Sequence, residues 1–132
     1  MLAVVTGASS GFGRVAAEAL ARRGFDLFLV CRDRIRAERA AVEIAAVAPR
    51  ARVQLAIADL SQIGEVARAA DEILSARRPI DLLLNNAGAV FATRRESADR
   101  IEYTFAIRGS EAKIESRLSA EKSSYVGFDL GN

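Results

Sequence analysis

The sequence has no histidine, no tryptophan and a single cysteine, with only two prolines and two tyrosines in 132 residues. Cys31 has no partner for an internal disulfide, and without histidine nothing here forms a metal-ligand cluster. A reducing cytoplasm is the expected compartment. No block of five like charges occurs, and the net charge is +2, so there is no basic arm and nucleic acid is excluded as an expected partner. No apolar run approaches the ~20 residues that span a bilayer, and the N-terminus lacks the basic and apolar regions of a leader, so no membrane partner is expected. What remains is ordinary for one folded domain: 51% hydrophobic and 27% charged residues.

Short apolar runs alternate with helical patterns along the chain. Residues 2–6 read as a strand, and 14–23 carry apolar residues at helical spacing before Gly24, a C-terminal cap. Residues 26–31 form a nearly continuous apolar run of the kind covered on both faces, and a second helix follows over 34–47, closed by Pro49. Residues 53–58 give a third strand, and Ser61 is expected to cap a helix running to about Arg77 before Pro79. Residues 80–85 form a fourth strand, and 96–107 a further helix with Ala98, Ile101 and Phe105 facing inward. Repeated right-handed crossovers place these strands parallel in one sheet with helices on both faces. The expectation is an α/β, Rossmann-type doubly wound parallel sheet of about four βα units with strand order 3-2-1-4. A flavodoxin-like sheet is the alternative.

The first strand hands over to the first helix through Thr6-Gly7-Ala8-Ser9-Ser10-Gly11-Phe12-Gly13. Glycines at such a turn let the backbone approach a pyrophosphate, whose charge meets the free N–H groups and positive end of the helix. The spacing G-x-x-x-G-x-G is wider than the common dinucleotide fingerprint, and a purely structural turn is the alternative. Ser9 and Ser10 add hydroxyls beside the phosphates.

Three further marks stand in order behind this turn: Asp59-Leu60 after the third strand, Asp81 at the head of the fourth, and Asn85-Asn86-Ala87-Gly88 at its end. With the glycine turn they resemble the short-chain dehydrogenase/reductase family over residues 2–107. The resemblance implies cofactor contacts from Gly7, Ser9, Ser10, Gly11, Phe12 and Gly13, from Asp59 and Leu60 beside the adenine, and from Asn86, Ala87 and Gly88 beside the nicotinamide ribose. It implies hydride transfer between NADP(H) and a carbonyl or alcohol substrate.

The end of the second strand meets the adenosine ribose, where an acid suits NAD and an arginine suits the 2′-phosphate of NADP. Cys31 stands where an NAD-preferring member carries its acid, and Arg32 follows, so NADP is favoured over NAD. Asp33 either caps the second helix or competes for the ribose, Arg34 and Arg36 read as helix surface, and Cys31 as buried filler.

The family's catalytic apparatus uses a tyrosine whose pKa is lowered by a lysine four residues later, together with a serine and an asparagine. Tyr103 is followed at that spacing by Ile107 and Tyr125 by Asp129, and Arg108-Gly109 stand where relatives continue with Asn-His. Composition changes at the same place: residues 1–108 hold 16 arginines and no lysine, whereas Lys113 and Lys122 both fall beyond. The expectation is therefore a cofactor-binding half-domain over 1–107 and a divergent tail over 108–132, with a helix over 110–121 and a loose end from 123. A frameshift or truncated gene explains such a tail, and no catalytic residue is assigned. The alternative is a non-catalytic NADP(H)-binding module that regulates or needs a partner. On this reading the fourth strand has an uncovered apolar edge at Leu82, Leu83 and Leu84, and self-association through it is expected.

Overall fold

The computed structural model describes residues 1–88, the turn at 98–99 and a strand at Val126–Asp129. In chain order the elements are β1 (Leu2–Thr6), α1 (Gly11–Arg22), β2 (Asp26–Cys31), α2 (Arg34–Val47), β3 (Val53–Ile57), α3 (Ile63–Ser75), β4 (Leu82–Asn85) and β5 (Val126–Asp129). All neighbouring strands pair in parallel, and the sheet order is β3-β2-β1-β4-β5. The chain winds outward from β1 to β3, then crosses back over β1 to β4. That reversal is the topological switch point, where open parallel sheets form their ligand crevice.

The period of two along a strand sends alternate residues of β1 to opposite faces. Leu2 and Val4 pack with Phe28, Val30 and Leu83 against Val66, Ala69 and Ile73 of α3. Ala3 and Val5 pack with Leu27, Leu29 and Leu84 against Ala17 and Ala21 of α1 and Ala37 and Ile44 of α2. The result is three layers, with α1 and α2 on one face and α3 on the other. Every residue of β1 is buried, which explains why its sequence reads as an unbroken apolar run. Each large aliphatic side chain buried in this way contributes about 1.5–3 kcal/mol.

The helix ends follow local chemistry. At the end of α1, Gly24 takes φ +90°, its N–H donates to the Ala21 carbonyl at 3.0 Å, and the Phe25 N–H donates to the Leu20 carbonyl at 3.2 Å. This pair of bonds is a Schellman cap. At the start of α2, Asp33 Oδ1 accepts from the Arg36 N–H at 3.0 Å, so of its two expected roles Asp33 takes the helix cap.

Four expectations are corrected. Gln62, not Ser61, stands at the start of α3, and it makes no side-chain capping bond. The Ser61 hydroxyl instead donates to Asp59 Oδ1 at 2.7 Å, while the Ile63 N–H finds Asp99 Oδ2 at 2.8 Å. The distant carboxylate serves the first turn, so the local hydroxyl is released. Second, α3 ends at Ser75 rather than near Arg77, which takes φ +49°. Third, residues 98–99 form a turn, where the expected helix over 96–107 would run; the rest of that helix, and the one expected over 110–121, lie outside the described residues. Fourth, β4 has no open outer edge: β5 pairs with it from Leu82↔Val126 to Asn85↔Asp129. The end of the chain is not loose at 126–129, the expected order 3-2-1-4 holds and is extended by a fifth strand among the described residues, and self-association through the β4 edge loses its basis.

Candidate functional site

The C-terminal ends of β1 to β4 open on one cleft of about 400 Å³. It is lined after β1 by Gly7, Ser9 and Ser10, after β2 by Arg32, Asp33 and Arg36, and after β3 by Asp59 and Leu60. Ala87 and Gly88 close it after β4, and Val30, Cys31 and Ala58 form its floor.

The glycine turn is fixed from both sides. The Gly7 N–H continues the sheet by donating to the Val30 carbonyl at 2.9 Å. Thr6, fully buried, accepts at Oγ1 from the backbone N–H groups of Asn86 and Ala87, both at 3.0 Å. The Asn86 amide Nδ2 then donates to the carbonyls of Thr6 at 3.2 Å and Gly7 at 3.3 Å. Loops after β1 and β4, 80 residues apart in sequence, are thereby tied together at the switch point.

Glycine is required by this geometry at two positions. Gly7 has φ +66°, and a Cβ there would lie 2.9 Å from Ala87 Cα. A Cβ on Gly13 would fall well inside van der Waals distance of the Gly7 carbonyl oxygen and Asn86 Nδ2. Gly13 thus seats α1 against the β1 and β4 loops.

The side of the cleft after β3 carries an organised carboxylate. Asp59 accepts from the Ser61 N–H at 2.9 Å, the Ser61 hydroxyl at 2.7 Å and the Gln62 amide at 3.4 Å. Its own N–H donates to Glu65 Oε2 at 2.6 Å. Burial alone raises the Asp59 carboxyl, but the Ser61 and Gln62 hydrogen bonds and the Arg32 charge outweigh it and hold the group below its ordinary value. Burial pushes the Cys31 thiol up, against smaller opposite effects from Ala8 and Ser9, so Cys31 is a neutral wall of the cleft, as its reading as buried filler implies.

Eight of the twelve residues expected at a cofactor line this cleft: Gly7, Ser9, Ser10, Arg32, Asp59, Leu60, Ala87 and Gly88. Gly11, Phe12, Gly13 and Asn86 are not in the lining; Phe12 is 68% exposed, and Gly13 and Asn86 shape the turn from behind. Sequence reasoning placed Thr6 at the head of the turn without a role, because its bracing bonds come from the Asn86 and Ala87 N–H groups, 80 and 81 residues away. It also assigned Arg36 to the helix surface, whereas Arg36 lines the cleft. Outside the cleft, Asp81 Oδ2 accepts from the Leu2 N–H at 2.7 Å and fixes the entry of β4 against β1. Among the described residues, no group of histidine, cysteine and acidic side chains suits a metal, and no helix is long and apolar enough to cross a membrane.

The fold and the crevice at its switch point define a doubly wound α/β protein of the Rossmann type. Residues 1–108 match the family described as short chain dehydrogenase, and the chain belongs to that family. Bovine retinol dehydrogenase 12 is 35% identical over 104 residues, covering 79% of this chain and 33% of the relative. The WW domain-containing oxidoreductase of Drosophila melanogaster is 36% identical over 107 residues, covering 80% of this chain and 26% of the relative. Among solved structures, a short-chain dehydrogenase from Sphingobium yanoikuyae in complex with NADPH superposes with TM-score 0.80 at 28% identity, covering 96% of this chain and 52% of that one. L-Sorbose reductase from Gluconobacter frateurii, complexed with NADPH and L-sorbose, gives TM-score 0.69 at 26% identity, covering 90% and 44%. The chain spans a quarter to a third of the length of these curated relatives and about half of these solved structures.

Proposed function

We propose that this chain is the NADP(H)-binding part of an oxidoreductase that transfers hydride between the cofactor and a carbonyl or alcohol. The observation that carries the reading is the braced glycine turn: Gly7 at φ +66° with no room for a Cβ, held by Asn86 from the loop after the fourth strand. Only a turn stripped of side chains lets a pyrophosphate reach the backbone N–H groups at the start of α1. The remaining lining fits the same ligand, with Ser9 and Ser10 beside the phosphates, Asp59 and Leu60 on the adenine side, and Arg32 at the end of β2. Ala87 and Gly88 face the nicotinamide end. Two similar structures hold NADPH in their complexes, which supports the phosphorylated cofactor over NAD.

The bound cofactor would supply the hydride. This chain's residues bind and orient it. Neither tyrosine has a lysine four positions on, so no proton donor of the family's kind is assigned within these 132 residues. The cofactor-binding residues all fall within 1–107, β5 completes the sheet beside them, and the cytoplasm is the expected compartment. A binding module without catalysis would use the same cleft, and NADPH-dependent reduction of simple ketones by the purified chain separates the two.

Thermal denaturation with NADP⁺ and with NAD⁺ tests the binding claim. At a hundredfold excess over Kd, NADP⁺ should stabilise the fold by about 2.7 kcal/mol, a rise of roughly 10 °C in Tm. No rise with either dinucleotide removes the reading.

A further inference from the structure

The start of α3 shares out its free N–H groups among three carboxylates and a carbonyl. In a capping box, the acid three residues into a helix reaches back to the N–H of the capping residue. Glu65 holds that place behind Gln62, but the Gln62 N–H already donates to the Asp59 carbonyl at 3.0 Å, and the Ile63 N–H to Asp99 Oδ2 at 2.8 Å. Glu65 is therefore released to reach further, and its Oε2 accepts from the Asp59 N–H at 2.6 Å. That N–H is the first beyond the ladder of β3, since the Ala58 N–H still donates to the Cys31 carbonyl at 2.9 Å. Glu65 thus fixes the backbone from which the Asp59 side chain departs.

Asp59 is in the lining of the cleft and Glu65 is not. The two oxygens of Asp59 are served unequally. Oδ1 takes both the N–H and the hydroxyl of Ser61, at 2.9 and 2.7 Å, whereas at Oδ2 the hydrogen bond is the long one from the Gln62 amide, 3.4 Å. Oδ2 keeps acceptor capacity, and Ser61 on the side chain with Glu65 on the backbone sets where it stands. An ionised carboxylate accepts and cannot donate. It attracts the exocyclic amino group of adenine and repels the keto oxygen that hypoxanthine carries at the same ring position. We infer that Glu65 is a positioning residue that, by holding Asp59, sets the selectivity of this cleft for a dinucleotide with an amino purine over one with a keto purine. The inference rests on the proposed dinucleotide reading and concerns a side chain that touches no ligand.

Calorimetric titration of the full chain with NADP⁺ and with its deaminated analogue, in which hypoxanthine replaces adenine, tests it. The wild type should prefer NADP⁺ by about tenfold, as one charge-assisted hydrogen bond provides. Glu65→Ala should cut that ratio to roughly threefold or less. Glu65→Asp keeps an acid at the helix start but is one methylene too short for the bond, and it should lower the ratio as alanine does. Glu65→Gln retains an acceptor for the Asp59 N–H and should retain the ratio. Loosening of the fold weakens both ligands alike and leaves the ratio where it was, so a purely structural role for Glu65 would not move it. If the wild type binds both dinucleotides equally, or the alanine and aspartate variants keep the tenfold ratio, or Glu65→Gln loses it as they do, the inference is overturned and the cleft reading stands. If the wild type binds neither dinucleotide, the cleft reading falls and takes the inference with it.

Discussion

The side-chain amide of Asn86 donates to the Gly7 carbonyl at 3.3 Å, so the residue after β4 holds the turn after β1 in place. The same amide reaches the Thr6 carbonyl at 3.2 Å, so one side chain serves two backbone acceptors of the turn. Replacing Asn86 by alanine should cost about 1–2 kcal/mol, since two hydrogen bonds to the turn are removed, and should lower Tm by several degrees. Asn86→Asp should do worse, because a carboxylate would face both carbonyl oxygens. Thermal denaturation of the two variants against wild type checks the order, and an Asn86→Ala protein as stable as wild type would show that the brace carries no weight.

Glycine substitutions should divide by what a Cβ would meet. At Gly13 it would press on the Gly7 carbonyl and the Asn86 amide, so Gly13→Ala should destabilise by about 1–3 kcal/mol and abolish dinucleotide binding. At Gly64, in the first turn of α3, nothing lies within 4 Å, and Gly64→Ala should raise stability by about 0.5–1 kcal/mol with binding unchanged. Urea midpoints read the first effect and nucleotide titration the second. Equal effects at the two positions would contradict the packing described for α1.

Sequence and structure agree most closely where a single local signal suffices. The apolar runs of β1 and β2, the helix between Asp33 and Pro49, and Gly24 as the end of α1 all follow from residue type and spacing. Non-local geometry accounts for what the sequence concealed. Val-Gly-Phe-Asp at 126–129 carries a glycine and only two apolar residues, a weak local strand signal, yet it pairs along β4 because that edge offers unpaired backbone groups. Ser61 looks like a helix cap until Asp99 arrives from elsewhere in the chain to bind the Ile63 N–H. Arg36 looks like surface until the Asp33 cap sets the phase of α2, and only then does it fall on the cleft. Of the site, the glycine turn and Asn-Asn-Ala-Gly were legible as motifs, but the division between lining residues and residues that brace from behind was not.

Acid should unfold this protein partly through Asp26 and Asp59. The Arg52 N–H at 2.8 Å, and against some burial the Arg78 guanidinium at 2.7 Å, hold the Asp26 carboxyl below its ordinary value. Both groups have lowered folded pKa values, so their stabilisation is present above the unfolded pKa of about 3.9 and is lost as pH falls through the folded values. The Asp26–Arg78 pair is partly exposed and contributes under about 1 kcal/mol. Asp26→Asn should therefore be less stable than wild type by that small margin at pH 6, and the difference should close as pH falls through the lowered folded value of Asp26. A gap that widens toward acid would reverse the assigned sign.

The central claim is that a dinucleotide seats at the C-terminal ends of β1 to β4. Backbone amide shifts of ¹⁵N-labelled protein, followed during titration with NADP⁺, report on it residue by residue. The account predicts that Gly7, Ser9, Ser10, Arg32, Asp59, Leu60, Ala87 and Gly88 move together, saturating on one curve. Arg23, Gly24 and Arg50, which line a separate hollow at the opposite end of the sheet, should stay still. Shifts confined to that opposite end, or none anywhere at millimolar NADP⁺, would contradict it.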